Sequence, residues 1–227
     1  MQFLHLLLYS LFAQVSEQSP VVVTTTSGQL HGTELNGVTS FKGVRFAEAP
    51  VLDFRWRPPV PFVSTGVHSA TILGPACVQQ FPFAMREITQ FLYNSPAPAS
   101  ENEDCLFLNI WVPSKSKIGK KPVVVWFHGG GFSYGTASVP RFDGTSLAAN
   151  QNIVVVTINY RTNIMGFPGS RDLPVTQNNL GFLDQELALR WVKQNIVQFG
   201  GDPKKVTIMV SRSLILWLSA QFVRAIK

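Results

Sequence analysis

Short continuous apolar runs, two-residue alternation and one helical stripe divide this chain of 227 residues into recognisable elements. Val123, Val124, Val125, Trp126 and Phe127, bounded by Pro122 and a glycine cluster, read as a strand buried on both faces. Ile153 to Ile158 has the same character, Leu106 to Val112 precedes them, and Val206 to Met209 follows. Nearer the N-terminus, Val21 to Thr26 is β-branched throughout, and Gln29 to Leu35 and Val38 to Val44 alternate around Asn36-Gly37. That dipeptide is a strong hairpin signal because both central residues of the turn need positive φ. A small antiparallel N-terminal sheet is therefore expected. Leu180 to Phe199 is the best helix, with Leu183, Leu187, Trp191 and Asn195 or Ile196 on one face beside Val192 and Phe199. Asn178 or Asn179 is placed to cap its start, and Gly200-Gly201-Asp202-Pro203 to stop it. Together these elements predict an α/β protein.

Candidate chemistry lies where the Val123–Phe127 run ends, in His128-Gly129-Gly130-Gly131-Phe132. Ligands of open α/β sheets bind beyond the carboxyl ends of the strands, and bare glycine N–H groups there can hold a negative oxygen. Alone, the motif is read equally well as a glycine turn after a buried strand. Other segments change the balance: Phe41-Lys42-Gly43-Val44, Phe54 to Pro61, Glu103-Asp104-Cys105-Leu106-Phe107-Leu108-Asn109, Leu183-Asp184-Gln185 and Phe199 to Pro203. With HGGGF they make residues 20 to 209 resemble the type-B carboxylesterases, the cholinesterase-like branch of the α/β-hydrolases.

The resemblance implies the N-terminal portion of an α/β-hydrolase fold, with a mixed, mostly parallel sheet, and, in intact relatives, hydrolysis of carboxylic esters through a serine acyl-enzyme. It implies an oxyanion hole from Gly130 and Gly131, and structural ion pairs of Arg55 with Glu103 and of Arg161 with Asp184. Ester substrates are the implied partners, with no cofactor. In the family the strand at Val206 to Met209 leads into Gly-Glu-Ser-Ala-Gly, whose Ser is the nucleophile on a tight strand-to-helix turn. Here the chain reads Val210-Ser211-Arg212-Ser213-Leu214. An ungapped reading puts Arg212 at the nucleophile and Val210 and Leu214 at the glycines. The histidines are His5, His31, His68 and His128, and no Asp or Glu follows Asp202. A base and its orienting acid, which follow the nucleophile in this fold, are thus not supplied. The expectation is a short, truncated form without covalent turnover, its strand at Val206 left as an edge. A non-catalytic binding protein and a product without function are the alternatives.

The remaining features refine this picture. Cys77 and Cys105, the only cysteines, read as a disulfide closing about 28 residues, worth roughly 3–4 kcal/mol, or as two free thiols. Two cysteines make no zinc site. Hydrophobic residues are 45% and charged residues 14% of the chain, a globular composition. The net charge of +6 is scattered without a nucleic-acid motif, so nucleic acid is not an expected partner. Residues 1–16, with Phe3-Leu4, Leu6-Leu7-Leu8 and Leu11-Phe12, fit a secretory leader too short to span a membrane, or simply an apolar N-terminus. Residues 17–209 then form the hydrolase-like domain of a secreted protein. Residues 210–227 form a divergent tail whose Leu214, Leu218, Phe222 and Ile226 fall at helical spacing, or whose sequence has no selected role.

Overall fold

The computed structural model describes residues 20–85, 87–88, 100–114 and 120–210. The expected leader and the tail from Ser211 onward lie outside them.

Strand β1 (Pro20–Thr25) pairs antiparallel with β2 (Ser27–Leu35), and β2 with β3 (Val38–Arg45). The β2–β3 turn is Asn36-Gly37, with φ of 52° and 77°, the left-handed pair that a tight hairpin demands. Strand β4 (Ser64–Ser69) lies parallel to β2. Strand β3 also pairs with β5 (Phe107–Pro113), so the antiparallel N-terminal part is continuous with the rest of the sheet. Beyond β5 come β6 (Lys121–Phe127), β7 (Val154–Ile158) and β8 (Gly201–Val210) in the spatial order β5–β7–β6–β8. Parallel pairing among the described strands is confined to β7–β6–β8 and the β2–β4 contact. The sheet is mixed and open, and β8 is its edge among the described residues.

Helices cover the two faces in turn. Helix α1 (Thr145–Gln151) connects β6 to β7 on one face, where Ala148 packs with Val38, Trp111 and Val155. A short turn, α2 (Asn163–Gly166), follows β7, and α3 (Leu180–Asn195) then covers the other face with Ala188, Leu189, Trp191 and Val192. Strand β7 is buried on both sides for this reason. Strand β6 is not, contrary to the expectation from its apolar run. Val123, Val125 and Phe127 are buried, but Pro122 is exposed and Val124 and Trp126 are half-buried. Helix α1 packs on β3, β5 and β7; the Phe142 ring lies against Trp126 with centroids 4.3 Å apart and planes tilted by 39°.

Helix α3 also departs from its sequence pattern. Leu183 and Leu187 are only half-buried, and the buried side carries Leu180, Asp184, Gln185, Ala188, Trp191, Val192 and Asn195. Two of the polar positions turn inward because their partners lie there. Asn195 accepts from the Thr26 N–H (2.8 Å) and donates to Thr26 Oγ1 (2.9 Å), tying the helix to the β1–β2 turn. Asn179 occupies the N-cap position but makes no capping bond; its φ and ψ of −135° and 42° lie away from the β-region that a capping side chain needs. The Asn178 amide donates to the Ser170 carbonyl instead. A short 3-10 turn, Ile196–Phe199, extends the helix to Gly200, whose φ of 73° ends it.

Asp184 is fully buried and grips Arg161, itself 3% exposed, three times. The Arg161 N–H donates to Oδ2 (3.0 Å), its Nε to the same oxygen (2.9 Å) and its Nη2 to Oδ1 (2.7 Å). Removing one partner of such a pair leaves a buried charge uncompensated. Asp184→Ala is expected to destabilise the fold by about 3–5 kcal/mol, read as a lower urea midpoint, or as loss of soluble protein where that exceeds the total stability.

Candidate functional site

At the C-terminal end of β6 the chain enters His128-Gly129-Gly130-Gly131-Phe132. Gly130, Gly131 and Phe132 all have positive φ, at 120°, 59° and 62°. The backbone therefore curls back on itself, and the Ser133 and Tyr134 N–H groups both donate to the Gly130 carbonyl (3.1 and 3.3 Å). A Cβ on Gly130 would collide with the Tyr134 carbonyl oxygen, whereas one on Gly131 would meet open space. Among the described residues, the N–H groups of Gly130 and Gly131 donate to no protein acceptor. Two adjacent uncommitted donors at a strand end can bind a carbonyl or anionic oxygen.

Three elements hold the loop in place. Beneath it, the His128 ring stacks on Tyr160 with centroids 4.2 Å apart and planes 7° from parallel, and the Tyr160 hydroxyl donates to the His128 carbonyl (2.8 Å). To one side, the Asn163 N–H donates to the Phe132 carbonyl, and the Phe132 ring meets Phe167 and Phe182 edge-on at 5.0 and 5.3 Å. From the disulfide loop, Gln79 accepts from the Gly135 N–H (2.9 Å) and the Gln80 N–H donates to the Ser133 carbonyl (2.8 Å). Tyr160 and Asn163 do not stand out in the sequence. Their only signal is their place at the end of β7, next to the end of β6 in a parallel pair.

His128 is buried, and this desolvation pulls its imidazole down from 6.5 to about 4, against the opposing effect of its bond to the Gly129 carbonyl. The ring is therefore neutral near pH 7 and is part of the wall of the site. Burial likewise raises the Tyr160 hydroxyl above its ordinary value. The larger cavities described lie elsewhere. One, of about 580 Å³, is lined by Phe46, Phe62, Leu187 and Trp191, and another, of about 270 Å³, by Arg45, Phe62, His68 and Phe107.

The other candidate residues are placed around this loop. Cys77 and Cys105 are joined in a disulfide with Cα atoms 4.9 Å apart. Arg55 donates to both oxygens of Glu103 (2.6 and 2.7 Å), near the base of the disulfide loop. A second bidentate pair, Arg45 with Asp104 (2.7 Å to each oxygen), has no counterpart among the sequence expectations. Arg161, which follows Tyr160 at the end of β7, is held by Asp184 as described above. On the other side of β6, Phe127 is paired in register with Val210, so β8 ends beside His128. Ser211, Arg212 and Ser213 lie outside the described residues.

Residues 18–213 match the model of the family described as the carboxylesterase family. The chain belongs to that family. Among curated carboxylesterases it is 41% identical to the cocaine esterase of Oryctolagus cuniculus over 198 residues, covering 84% of this chain and 36% of that protein. The cholinesterase of Mus musculus is 36% identical, with 89% and 34% covered, and the para-nitrobenzyl esterase of Bacillus subtilis (strain 168) is 40% identical, with 82% and 37% covered. A solved structure described as a thermophylic PNB esterase superposes with a TM-score of 0.72 at 38% identity, covering 83% of this chain and 38% of that one. The chain thus spans 34–37% of the length of these curated relatives.

Two measurements probe the loop. Well above pH 6.5 the His128 imidazole is neutral in the folded and unfolded chain alike. Between pH 6.5 and about 4 the unfolded chain takes up a proton that the buried ring refuses, so stability falls as the pH falls through this window. The expected loss is about 3 kcal/mol, and His128→Phe, which keeps a ring against Tyr160, should flatten that part of the stability–pH curve. Gly130→Ala is expected to cost roughly 3 kcal/mol or more, from positive φ and collision together. Gly131→Ala, with strain alone, should cost about 1–2 kcal/mol. Urea midpoints in that order check the geometry of the loop.

Proposed function

We propose that this chain is the carbonyl-binding part of a carboxylic ester hydrolase, and that the sequence it carries performs no covalent turnover. The observation that carries the reading is the pair of uncommitted N–H groups on Gly130 and Gly131 beside the end of β8. In an acyl-transfer site such donors stabilise the oxygen of the tetrahedral intermediate, each worth about 3 kcal/mol once water is excluded. The loop is held from below and from the side, so the donors need no reorganisation when charge develops. His128, neutral and buried, shapes the loop and is not the base.

The lack of turnover is supported by the residues on the C-terminal side of β8. A nucleophile needs a hydroxyl on a sharp strand-to-helix turn, with glycines on either side so that neighbouring backbone can approach. Continued without a gap, the family pattern puts Val210 and Leu214 at those glycine positions and Arg212 at the serine. A guanidinium stays protonated and cannot attack an acyl carbon. A secreted setting is supported by the disulfide, which persists in oxidising compartments, and by the apolar run within residues 1–16.

Incubation with p-nitrophenyl acetate and with a fluorescent alkyl phosphonate, followed by peptide mapping, tests the reading. No burst of nitrophenolate and no labelled serine are expected. A stoichiometric burst, or a phosphonate on Ser211 or Ser213, would overturn it.

A further inference from the structure

Cys77 is the root of a strap, residues 77–81, that passes the ends of β6 and β7 and is fastened to another segment at every residue. Cys77 itself is bonded to Cys105. The Val78 carbonyl accepts from Thr162 Oγ1 (3.1 Å) and Asn163 Nδ2 (2.7 Å), beyond β7. Beyond β6, Gln79 and Gln80 bond to Gly135 and Ser133, and the Phe81 ring stacks on Tyr134 at 5.3 Å. The N–H groups of Ser133 and Tyr134 in turn close on the Gly130 carbonyl. The curl that presents the Gly130 and Gly131 donors is thus braced from outside by the strap. Each of these contacts is a hydrogen bond or a ring stack, and water competes for each of them. The disulfide is the covalent tie that keeps them in register.

We propose that this disulfide is a redox-sensitive latch on the glycine loop, a reading that rests on Gly130 and Gly131 being donors to a substrate oxygen. A dithiol supplies the reducing equivalents. One of its thiolates attacks a cystine sulfur, the S–S bond breaks, and its second thiol displaces the mixed disulfide. The dithiol leaves as a cyclic disulfide, and two electrons and two protons remain on Cys77 and Cys105 as thiols. Cys77 is 2% exposed and Cys105 0%, so a thiolate reaches them when the strap lifts. Lifting therefore exposes the bond, and cleavage prolongs the lifting; by linkage each favours the other. The base of the loop is anchored separately, with His128 on Tyr160 and Arg161 on Asp184, and neither contact uses the strap. Reduction loosens residues 133–135 and the donors resting on them, and leaves the sheet intact.

Hydrogen–deuterium exchange of the full chain, oxidised and after treatment with dithiothreitol, tests this, with alkylation counting the thiols. Peptides covering 133–135 should exchange roughly tenfold faster once reduced, while peptides of β7 and α3 keep their protection. Cys77→Ala with Cys105→Ala should behave as the reduced chain does. Gln79→Ala, with the disulfide intact, should be reduced roughly fivefold faster than the wild type, because the strap has lost one fastening. Unchanged exchange at 133–135 after reduction would overturn the proposal. So would loss of protection throughout the chain, which would make the bond a brace of the whole fold. Resistance to dithiothreitol until urea unfolds the chain, or a reduction rate that Gln79→Ala leaves unchanged, would overturn it as well. Exchange requires no ester and no nucleophile, so this experiment and phosphonate labelling fail independently.

Discussion

The buried bond between Arg161 and Asp184 is the constraint on which the architecture of the site depends. Asp184 projects from α3 and holds both the backbone N–H and the guanidinium of Arg161, the residue that follows Tyr160 at the end of β7. This fixes residues 160–163 as a unit. Tyr160 is thereby set beneath His128, and Asn163 beside Phe132. A helix on one face of the sheet thus positions a loop at its end. The cost of burying two charges is offset only because the carboxylate accepts three bonds in good geometry.

The loop positioned in this way is a backbone device. Gly130 is tolerated because it has no side chain where the Tyr134 carbonyl lies, and that close approach leaves the N–H groups of Gly130 and Gly131 without protein acceptors among the described residues. The loop depends on glycine for its shape and on neighbouring aromatics for its rigidity. The chemistry proposed for it is separable from the covalent steps, because stabilising a negative oxygen and generating one are tasks of different residues. The carboxylesterase family combines them by placing a serine at the end of the strand beside this loop. In this chain Phe127 is in register with Val210, and Ser211, Arg212 and Ser213 follow in the sequence.

Strained backbone links this loop to the turn at 52–56. Asn36 and Asn152 adopt positive φ in ordinary places, a hairpin turn and a helix end. Leu52, Trp56 and Phe132 do not have that excuse, and they are joined through residues 163–164. The two surfaces are therefore neighbours through hydrogen bonds, although 76 residues separate Trp56 from Phe132 in sequence (132 − 56).

Several features are legible in the order of residues because they depend on local backbone chemistry. Asn36-Gly37 specifies a hairpin, Gly200 a helix end, and the valine-rich run of β7 a strand covered on both faces. The HGGGF loop is recognisable for the same reason, since only glycine accepts its dihedral angles without strain. Burial is less legible. Apolar periodicity in α3 points to Leu183 and Leu187, but Asp184 and Asn195 face inward because their partners, Arg161 and Thr26, wait there. The run of β6 suggests two buried faces, yet α1 crosses β5, β3 and β7 and leaves Val124 half-covered. No spacing rule reaches from Arg45 to Asp104, 59 residues away, or reveals that the His128 ring lies flat on Tyr160. Residue order alone was enough for the strands, the turns and the glycine loop, because each follows from the conformations a short stretch of backbone can adopt. Which polar groups are buried, which charges meet and which strained side chains face outward was settled only in the folded chain, because those outcomes depend on contacts between segments far apart in sequence.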